Sequence, residues 1–379
     1  MQVSPTNPVF TNVESLVVKV GSSLVASATG GLDTVFISRL VGQLAALRER
    51  GKNILLVSSG AVAAGLSGLG LPQRPSELPL IQAAAAVGQV ALMQIYRQLF
   101  KYYNLTVAQI LLTRDNLQDR RRFLHARNTI LTLMKSGIIP IVNENDPVAV
   151  EELNLKLGDN DFLAVSAAQL ADAGGIVILS DVDGLYDRPP GVSGGKLVAE
   201  VRELTPEVFA MAGVSESGLG SGGMLSKLNA ARAAGVADIP LLIANGRQEN
   251  VLLQVLDGKP VGTLFLPHGR RESSYRQWLS FGRSPDGVVR VDAGAKKALS
   301  EKKKSLLPIG VKEVEGEFGE GDTVAITDLS GQEFARGLSN FTAGELRKIM
   351  GVNSRELVGI LGRDCDATVV HRDNLVVLE

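Results

Sequence analysis

The stretch Ile138–Asp161, IIPIVNENDPVAVEELNLKLGDND, decides how this chain folds and where it binds a ligand. Its apolar start, Ile138 to Val142, predicts a buried strand. Two clusters within the next nineteen positions, 143–146 and 159–161, together hold seven Asn, Asp and Glu residues. These residues and Pro147 also suit a turn, but a turn needs only one or two of them. Because open parallel sheets bind ligands outside the carboxyl ends of their strands, the clusters predict a site for a small zwitterionic ligand.

Two strands on the N-terminal side also end in small residues. The run LVVKV at 16–20 contains a lysine, and the run NILLVS at 53–58 opens directly into a helix. A lysine near the end of a buried strand is costly unless it meets an anion, and backbone N–H groups of small residues can approach that anion. An edge-strand lysine and plain close packing are the alternative interpretations. The residues concerned are Lys19, Gly21, Ser22, Ser59 and Gly60.

A third candidate loop is glycine-rich and runs from Ser217 to Lys227, SGLGSGGMLSK. Its match to GxGxxG is weak, because that fingerprint should follow a strand and the preceding residues here are polar. It also lacks the Gly-Lys-Ser/Thr ending of a Walker A loop. A glycine-rich turn that ends in a lysine at a helix start can cradle a polyphosphate, whereas the alternative is a flexible surface loop.

The combination of two lysines beside glycine-rich loops favours phosphoryl transfer, which needs mainly positioning and charge neutralisation. An acid between the lysines would hold them apart and aligned. The sequence has no obvious nucleophile–histidine arrangement. A carboxylate acceptor, with a pKa of about 4, is already ionised near neutral pH and needs no general base.

Strands and helices alternate up to about residue 265, which predicts an α/β fold, a three-layer sandwich around a mostly parallel open sheet. We place this domain at 1–266, a Gly, Arg, Ser and Pro linker at 267–285, and a small β-rich domain at 286–379. One helix, 342–350, is expected in the second domain, with Thr342 and Glu345 at capping-box spacing. The strands expected there are 288–291, 311–316, 322–327, 333–339 and 368–370.

Composition describes an ordinary globular protein: 379 residues, net charge −1 and 45% hydrophobic residues. Cys365 is the single cysteine, which excludes an intrachain disulfide and fits a reducing compartment. We interpret it as a small buried hydrophobe, not a nucleophile. The N-terminus lacks the features of a signal peptide, and no uninterrupted apolar run reaches the roughly 18 residues of a membrane span. We therefore expect a cytoplasmic protein without a membrane partner.

At these motifs the chain resembles the glutamate 5-kinases of the amino-acid kinase family. The similarity covers most of the first 265 residues, and the C-terminal part resembles a PUA domain through SLLPIGVKEVEGEFGEGDTVAI at 305–326 and VVHRDN at 369–374. The N-terminal motifs are VVKVGSS at 17–23, SSGAVAAG at 58–65, LLTRDNLQDRRRFLHARNT at 111–129, IPIVNENDPVA at 139–149, GDND at 158–161, SGLGSGGMLSK at 217–227 and VGTLF at 261–265.

The resemblance implies transfer of the γ-phosphate of ATP to the side-chain carboxylate of L-glutamate, the first step of proline synthesis. It assigns Lys19 and Lys227 to stabilise the phosphoryl group and Asp161 to orient both lysines. The glutamate residues it implies are Ser59, Gly60, Asn143, Asp146, Asp159 and Asn160. The ATP residues it implies are Lys19, Gly21, Ser22, Ser180, Asp181, Ser221, Gly222, Gly223, Met224, Leu225, Ser226 and Lys227.

Cofactor and partners also follow from the resemblance. Mg²⁺ would be bound largely by phosphates and water, as is usual for this ion, without dedicated protein ligands. The family further implies a homo-oligomer, feedback inhibition by L-proline and hand-over of the product to a glutamyl phosphate reductase.

Two alternative functions stay open at this stage, beside a regulatory or assembly role for the PUA-like domain. The first is another amino-acid kinase, acting on N-acetylglutamate, aspartate or a carbamate, and Asp146 argues against an acetylated substrate because it suits a free ammonium. The second is RNA binding through the PUA-like domain. That domain carries 13 basic against 16 acidic residues, net −3, whereas a phosphate-binding surface should be basic.

Overall fold

The computed structural model describes residues 8–27, 31–148, 160–188, 194–213, 223–267, 285–302, 304–353, 356–362 and 368–378. By its internal contacts the chain divides into two compact units, Met1–Arg271 and Glu272–Glu379. The predicted linker, 267–285, lies almost wholly outside the described residues, as does Cys365.

The first unit is built from β-strands that alternate with α-helices, as the sequence predicts. Its strands are β1 (Ser15–Val20), β2 (Asn53–Ser58), β3 (Val107–Leu112), β4 (Ile139–Glu144), β5 (Gly175–Ser180), β6 (Glu200–Val201), β7 (Leu241–Asn245) and β8 (Thr263–Phe265). Its helices are α1 (Ser22–Val25), α2 (Thr34–Glu49), α3 (Ala61–Leu66), α4 (Leu78–Lys101), α5 (Arg114–Gln118), α6 (Arg120–Lys135), α7 (Asn160–Leu170), α8 (Pro206–Met211), α9 (Met224–Val236) and α10 (Val251–Leu256).

These eight strands, all from described residues, form one sheet in the order β3-β4-β2-β1-β5-β7-β8-β6. Every neighbouring pair is parallel except β7 with β8. The predicted mostly parallel sheet is therefore confirmed. Strands β2, β4 and β3 lie on one side of β1, and β5 lies on its other side. The strand order therefore reverses between β1 and β5, which makes this position the topological switch point of the sheet.

Side chains alternate across β1 and decide which face of the sheet carries the chemistry. Leu16, Val18 and Val20 belong to an apolar cluster with residues of α2, α4 and α10 on one face. Val17 and Lys19 therefore point to the opposite face, where α7 packs against β1. Helices thus cover both faces, which gives the three-layer sandwich.

Helix α4 approaches α3 so closely that glycines are required at the crossing. A Cβ on Gly88 would lie 1.8 Å from the carbonyl oxygen of Ala61, and a Cβ on Gly65 would lie 1.8 Å from that of Ala84. By length and mean hydropathy α4 is also long and apolar enough to cross a membrane, and 28% of its most apolar window is buried in this unit. Its contact with α3 and its buried Leu92, Tyr96 and Phe100 make it a packed helix of this unit.

Residues 119–136 have the pattern of one helix, which α6 confirms, and the shorter α5 lies directly before it. Asp119 ends α5 and caps α6, because its side chain accepts a hydrogen bond from the backbone N–H of Arg122 at 2.7 Å. A short acidic side chain at that position starts a new helix instead of continuing the old one.

The second unit contains a five-stranded sheet with its own apolar core, in the order β10-β9-β11-β12-β13. Only β9 and β11 pair in parallel. The strands are β9 (Gly287–Val291), β10 (Val311–Gly316), β11 (Thr323–Thr327), β12 (Glu333–Leu338) and β13 (Leu375–Val377), and the helices are α11 (Ala293–Ser300), α12 (Ala343–Ile349) and α13 (Leu357–Leu361).

Two predictions for this unit are wrong. Residues 368–370 were expected to form a strand, but Val370 makes only an isolated bridge with Leu306. The strand that pairs with β12 at this end of the chain is β13. The expected single helix, α12, has the predicted capping box, but α11 and α13 accompany it. Asp292 starts α11 by accepting a hydrogen bond from the N–H of Ala295 at 2.9 Å, because an aspartate at this position caps a helix.

Candidate active site

Two buried lysines meet one buried carboxylate at the centre of the first unit. Nζ of Lys19, on β1, lies 2.5 Å from Oδ1 of Asp161, in the first turn of α7. Nζ of Lys227, in the first turn of α9, lies 3.2 Å from Oδ2 of the same carboxylate. The predicted catalytic residues therefore come together from three separate elements.

The electrostatics of this cluster favour an anion. Burial raises the pKa of Asp161, but the charges of Lys19 and Lys227 and their hydrogen bonds lower it more, so the net pKa lies below its ordinary value and the group is ionised. The lysines are each 4% exposed and Asp161 is fully buried. Two lysines beside one carboxylate give this part of the site a positive potential, which suits an anionic ligand.

A chain of amide side chains leads away from this cluster along the carboxyl ends of the strands. Nδ2 of Asn160, next to Asp161, donates to the carbonyl of Ser58 at 2.9 Å, to Oγ of Ser59 at 2.8 Å and to Oδ1 of Asn143 at 3.1 Å. Ser59, Asn143 and Asn160 were predicted to share one site, and these contacts join them. Asp159 lies outside the described residues.

The loop after β2 is held in a shape that only glycine adopts easily. Gly60 has a φ of 102°, and a Cβ there would lie 2.8 Å from Cγ1 of Val25. Its conformation turns the chain sharply from β2 into α3. The backbone of Ser59 and Gly60 is thereby fixed beside Asn160.

The predicted nucleotide residues of β1 and β5 lie at the same end of the two adjacent strands. The N–H of Gly21 donates to the carbonyl of Leu179 at 3.2 Å, which ties the loop after β1 to the end of β5. Ser22 begins α1 and is exposed. Ser180 is buried at the end of β5, and its Oγ donates to Asp181 Oδ1 at 3.1 Å.

The described part of the glycine-rich loop begins at the cap of α9. Gly223 precedes the helix in an extended conformation, and Met224, Leu225, Ser226 and Lys227 form the first turn. Oγ of Ser226 donates to Oδ2 of Asp161 at 3.3 Å. Ser221 and Gly222 lie outside the described residues.

A cleft of about 280 Å³ lies beside the amide chain, between α4 and the strands β3 and β4. Two acidic groups, Glu144 and Asp146, line it. Burial, with the nearby charge of Asp146, raises the pKa of Glu144 to about 7. Burial also raises the pKa of Asp146, although the charge of Arg74 counteracts this. Two half-buried acidic groups with raised pKa values, side by side in a cleft, suit a ligand that carries an ammonium.

Several residues of this site were not predicted from the sequence. Gln89 lines the cleft and accepts a hydrogen bond from Asn143. The hydroxyl of Tyr96 lies 2.9 Å from Oγ of Ser58, and burial raises the pKa of Tyr96 to about 12. Both side chains come from α4, whose alanine-rich and aliphatic sequence indicates a buried interface, within the chain or between subunits, and no polar site. The only available signal was the occurrence of a glutamine and a tyrosine on the buried face of that helix.

No group of three or more His, Cys, Asp and Glu side chains that could hold a metal occurs among the described residues. The donor set near the lysines is cationic, apart from Asp161. A divalent metal that arrives with the phosphates of a nucleotide fits this set better than one held by the protein alone.

Comparison with known proteins gives the family. The model of the amino acid kinase family matches residues 14–245, and that of the PUA domain matches residues 287–361. A protein of Citrifermentans bemidjiense called glutamate 5-kinase is 46% identical over 97% of this chain and 98% of its own length. A protein of the same name from Caldanaerobacter subterraneus subsp. tengcongensis is 42% identical over 96% and 98%, respectively.

Among structures, the UMP kinase of Bacillus anthracis aligns with a TM-score of 0.47 at 13% identity, covering 68% of this chain and 97% of that one. Since the family model spans more than half of the chain and the relatives are similar over nearly their full length, the chain belongs to the amino acid kinase family, among its glutamate 5-kinases, and carries a C-terminal PUA domain.

Proposed function

We propose that this chain transfers the γ-phosphoryl group of ATP to the side-chain carboxylate of L-glutamate, which gives L-glutamyl 5-phosphate and begins proline biosynthesis. The observation that carries the proposal is the buried cluster of Lys19, Asp161 and Lys227. The full-length similarity to proteins called glutamate 5-kinase supports the choice of acceptor.

The chemistry follows from the charges of that cluster. A carboxylate oxygen of glutamate attacks the γ-phosphorus, the bond from phosphorus to the bridging oxygen of ADP breaks, and ADP leaves. No proton is transferred, because the acceptor is already ionised. The ammonium groups of Lys19 and Lys227 stabilise the negative charge of the transferring group, and Asp161 holds them in position.

Glutamate lies along the amide chain in this proposal. Asp146 pairs with its α-ammonium, while Ser59, Asn143 and Asn160 hold the remainder of the molecule beside the lysines. Gly60 and Asp159 complete the proposed glutamate site. An N-acetylated substrate has no ammonium charge, so it would leave the Asp146 carboxylate without a partner.

The nucleotide lies at the ends of β1 and β5 and at the start of α9. The residues that we propose to bind it are Lys19, Gly21, Ser22, Ser180, Asp181, Ser221, Gly222, Gly223, Met224, Leu225, Ser226 and Lys227. Mg²⁺ enters as the ATP complex, held mainly by phosphates and water, and it supplies additional charge neutralisation when bound.

The family resemblance supports further features of the working enzyme. We propose a cytoplasmic homo-oligomer that is inhibited by L-proline and delivers its labile acyl phosphate to a glutamyl phosphate reductase. The net charge of −3 on residues 286–379 argues against nucleic acid as a partner of the PUA domain.

A hydroxylamine trap with ATP and Mg²⁺ tests the function. Glutamate, N-acetylglutamate and aspartate are compared, and the proposal expects hydroxamate from glutamate alone. Hydroxamate from one of the other acids would keep phosphoryl transfer but refute the glutamate assignment. Loss of product in Lys19→Ala and in Lys227→Ala, each by on the order of 10²–10³-fold, would assign the chemistry to this cluster.

A further inference from the structure

Among the residues that the structure describes, none accepts a hydrogen bond from the side-chain NH₂ of Gln89, whereas nearly all buried polar groups in proteins are paired. The side chain is 8% exposed and projects from the middle of α4. Its Oε1 accepts a hydrogen bond from Nδ2 of Asn143 at 2.9 Å. Its Nε2 is buried and makes no hydrogen bond to any described residue.

The orientation of this amide is fixed by backbone groups. The carbonyl of Ser58 can only accept, so Asn160 must direct its Nδ2 toward it. The N–H of Glu144 can only donate, at 2.9 Å, so Asn143 must direct its Oδ1 toward that N–H. Asn143 therefore directs its Nδ2 toward Gln89, and Gln89 accepts that hydrogen bond through Oε1. The unpartnered group of Gln89 is therefore the NH₂.

Gln89 is part of the wall of the 280 Å³ cleft that Glu144 and Asp146 also line. Most of the remaining wall is apolar, from Ala85, Ala86, Val90, Leu111 and Pro147. The cleft thus contains the carboxyl groups of Glu144 and Asp146, which favour a cation, and the NH₂ group of Gln89, which can donate to an acceptor on a ligand. A free α-amino acid presents both partners on one carbon atom.

We propose that Gln89 is a specificity-determining residue whose Nε2 donates a hydrogen bond to the α-carboxylate of the amino-acid substrate. This inference rests on the proposed function. It adds a second contact to the amino-acid head, opposite in charge to the contact of Asp146 with the α-ammonium. Through Asn143 and Asn160, Gln89 also connects the head of the substrate to the lysine cluster at its other end.

The variant Gln89→Glu tests this role because it has nearly the same shape. Its carboxylate still accepts from Asn143, but the donor becomes an acceptor that repels a second carboxylate. We expect the KM for glutamate to rise roughly tenfold to a hundredfold, as for loss of a hydrogen bond to a charged group, with the KM for ATP unchanged. Gln94→Glu is the matched control, because Gln94 is an exposed glutamine on the same helix. This variant should have the KM values of the wild type for both glutamate and ATP.

The α-amide of glutamate distinguishes a contact with the α-carboxylate from a general loss of structure. Its neutral amide can donate to the new carboxylate, so Gln89→Glu should shift preference from glutamate toward the α-amide, measured as the ratio of their competitive inhibition or KM values. An equal loss for both compounds would overturn the inference.

The outcomes also separate this inference from the proposed function. If the wild-type protein forms hydroxamate from glutamate while this ratio stays constant, only the role of Gln89 fails. If the wild type forms none, the proposed function fails, and the same ratio measured by calorimetric binding still tests Gln89.

Discussion

Nζ of Lys19 lies 2.5 Å from Oδ1 of Asp161, and the side chains are 5% and 0% exposed. The pair brings the end of β1 together with the start of α7, two elements that are far apart in the sequence. The same carboxylate also holds Lys227. Because Asp161 neutralises only one of the two lysines, it positions them without removing the positive charge that phosphoryl transfer needs.

Asp161→Asn is predicted to impair both stability and turnover. Two buried ammonium groups would lose the carboxylate that both of them contact, at a cost of about 3–5 kcal/mol. We expect a lower Tm at pH 7 and a kcat reduced by on the order of a hundredfold. The pKa of Asp161 is lowered on folding, so its contribution is present above the unfolded pKa of about 3.9 and is lost as pH falls through the folded value.

Asp257→Asn is the control for this substitution. Asp257 pairs with Arg50 at 2.7 Å, but both side chains are more than 40% exposed. An exposed pair contributes at most about 1 kcal/mol, so its loss should hardly change the Tm. Equal melting temperatures for the two variants, measured by calorimetry, would contradict the role given to Asp161.

Asp146→Asn is predicted to raise the KM for glutamate by about tenfold or more while leaving the KM for ATP unchanged, because it removes the charge opposite the α-ammonium. Glutarate, which lacks the amino group, supplies the control ligand. Its inhibition constant should be the same for wild type and variant, or lower for the variant. A parallel loss of glutamate and glutarate binding would show that Asp146 acts on the fold of the cleft and not on the ammonium.

The raised pKa of Glu144 makes the stability of the folded chain depend on pH. Burial and the charge of Asp146 raise it from 4.5 to about 7, so the folded chain binds an extra proton between these values. Stability therefore falls as pH rises through this window. The Glu144→Gln side chain does not titrate, so this variant should have a higher Tm than the wild type at pH 8. Below pH 4.5, where Glu144 is protonated in both the folded and the unfolded chain, the two Tm values should be equal. Identical pH profiles would refute the assignment.

The same group should affect substrate binding. An ammonium beside Glu144 favours the ionised carboxylate, so binding below a pH of about 7 must release a proton. The KM for glutamate in the wild type is predicted to rise as the pH falls through about 7, and that dependence should disappear in Glu144→Gln.

Gly88→Ala tests whether the close contact of α3 and α4 supports the site. A Cβ at Gly88 would meet the carbonyl oxygen of Ala61 at 1.8 Å, so the helices must separate. We expect destabilisation by about 1–3 kcal/mol, together with a raised KM for glutamate because Gln89 and Gly60 flank the contact. Gly344→Ala, an exposed helical glycine with nothing within 4 Å, should be neutral or stabilising by thermal denaturation. A wild-type Tm in Gly88→Ala would show that this crossing is not tight.

The sequence was sufficient for the alternation of strands and helices and for the residues at strand ends. Lys19, Ser59, Asn143 and Ser180 lie at the carboxyl ends of apolar strands or directly after them, and in a parallel sheet such positions meet at one edge. Asp161 could be placed with the lysines only through the family resemblance. The motif does not show that its carboxylate would lie fully buried between Lys19 of β1 and the first turn of α9.

What the sequence did not reveal depends on tertiary packing. Gln89 and Tyr96 become part of the site only because Gly65 and Gly88 allow α4 to lie against α3. In the second unit, the valines at 369 and 370 have the composition of a strand but pack in the core without a ladder. Periodicity in a single segment does not indicate which helix face meets which neighbour.

Transfer of labelled oxygen tests the central claim most directly. Glutamate with ¹⁸O in its side-chain carboxylate is incubated with ATP, Mg²⁺ and the intact protein, and the phosphate released when the acyl phosphate cyclises or is hydrolysed at carbon is analysed by mass spectrometry. If the side-chain carboxylate attacks the γ-phosphorus, each released phosphate carries one labelled oxygen, and formation of this product falls in Lys19→Ala and Lys227→Ala. Phosphate without label would show that water attacks ATP instead, and would contradict the account of this site.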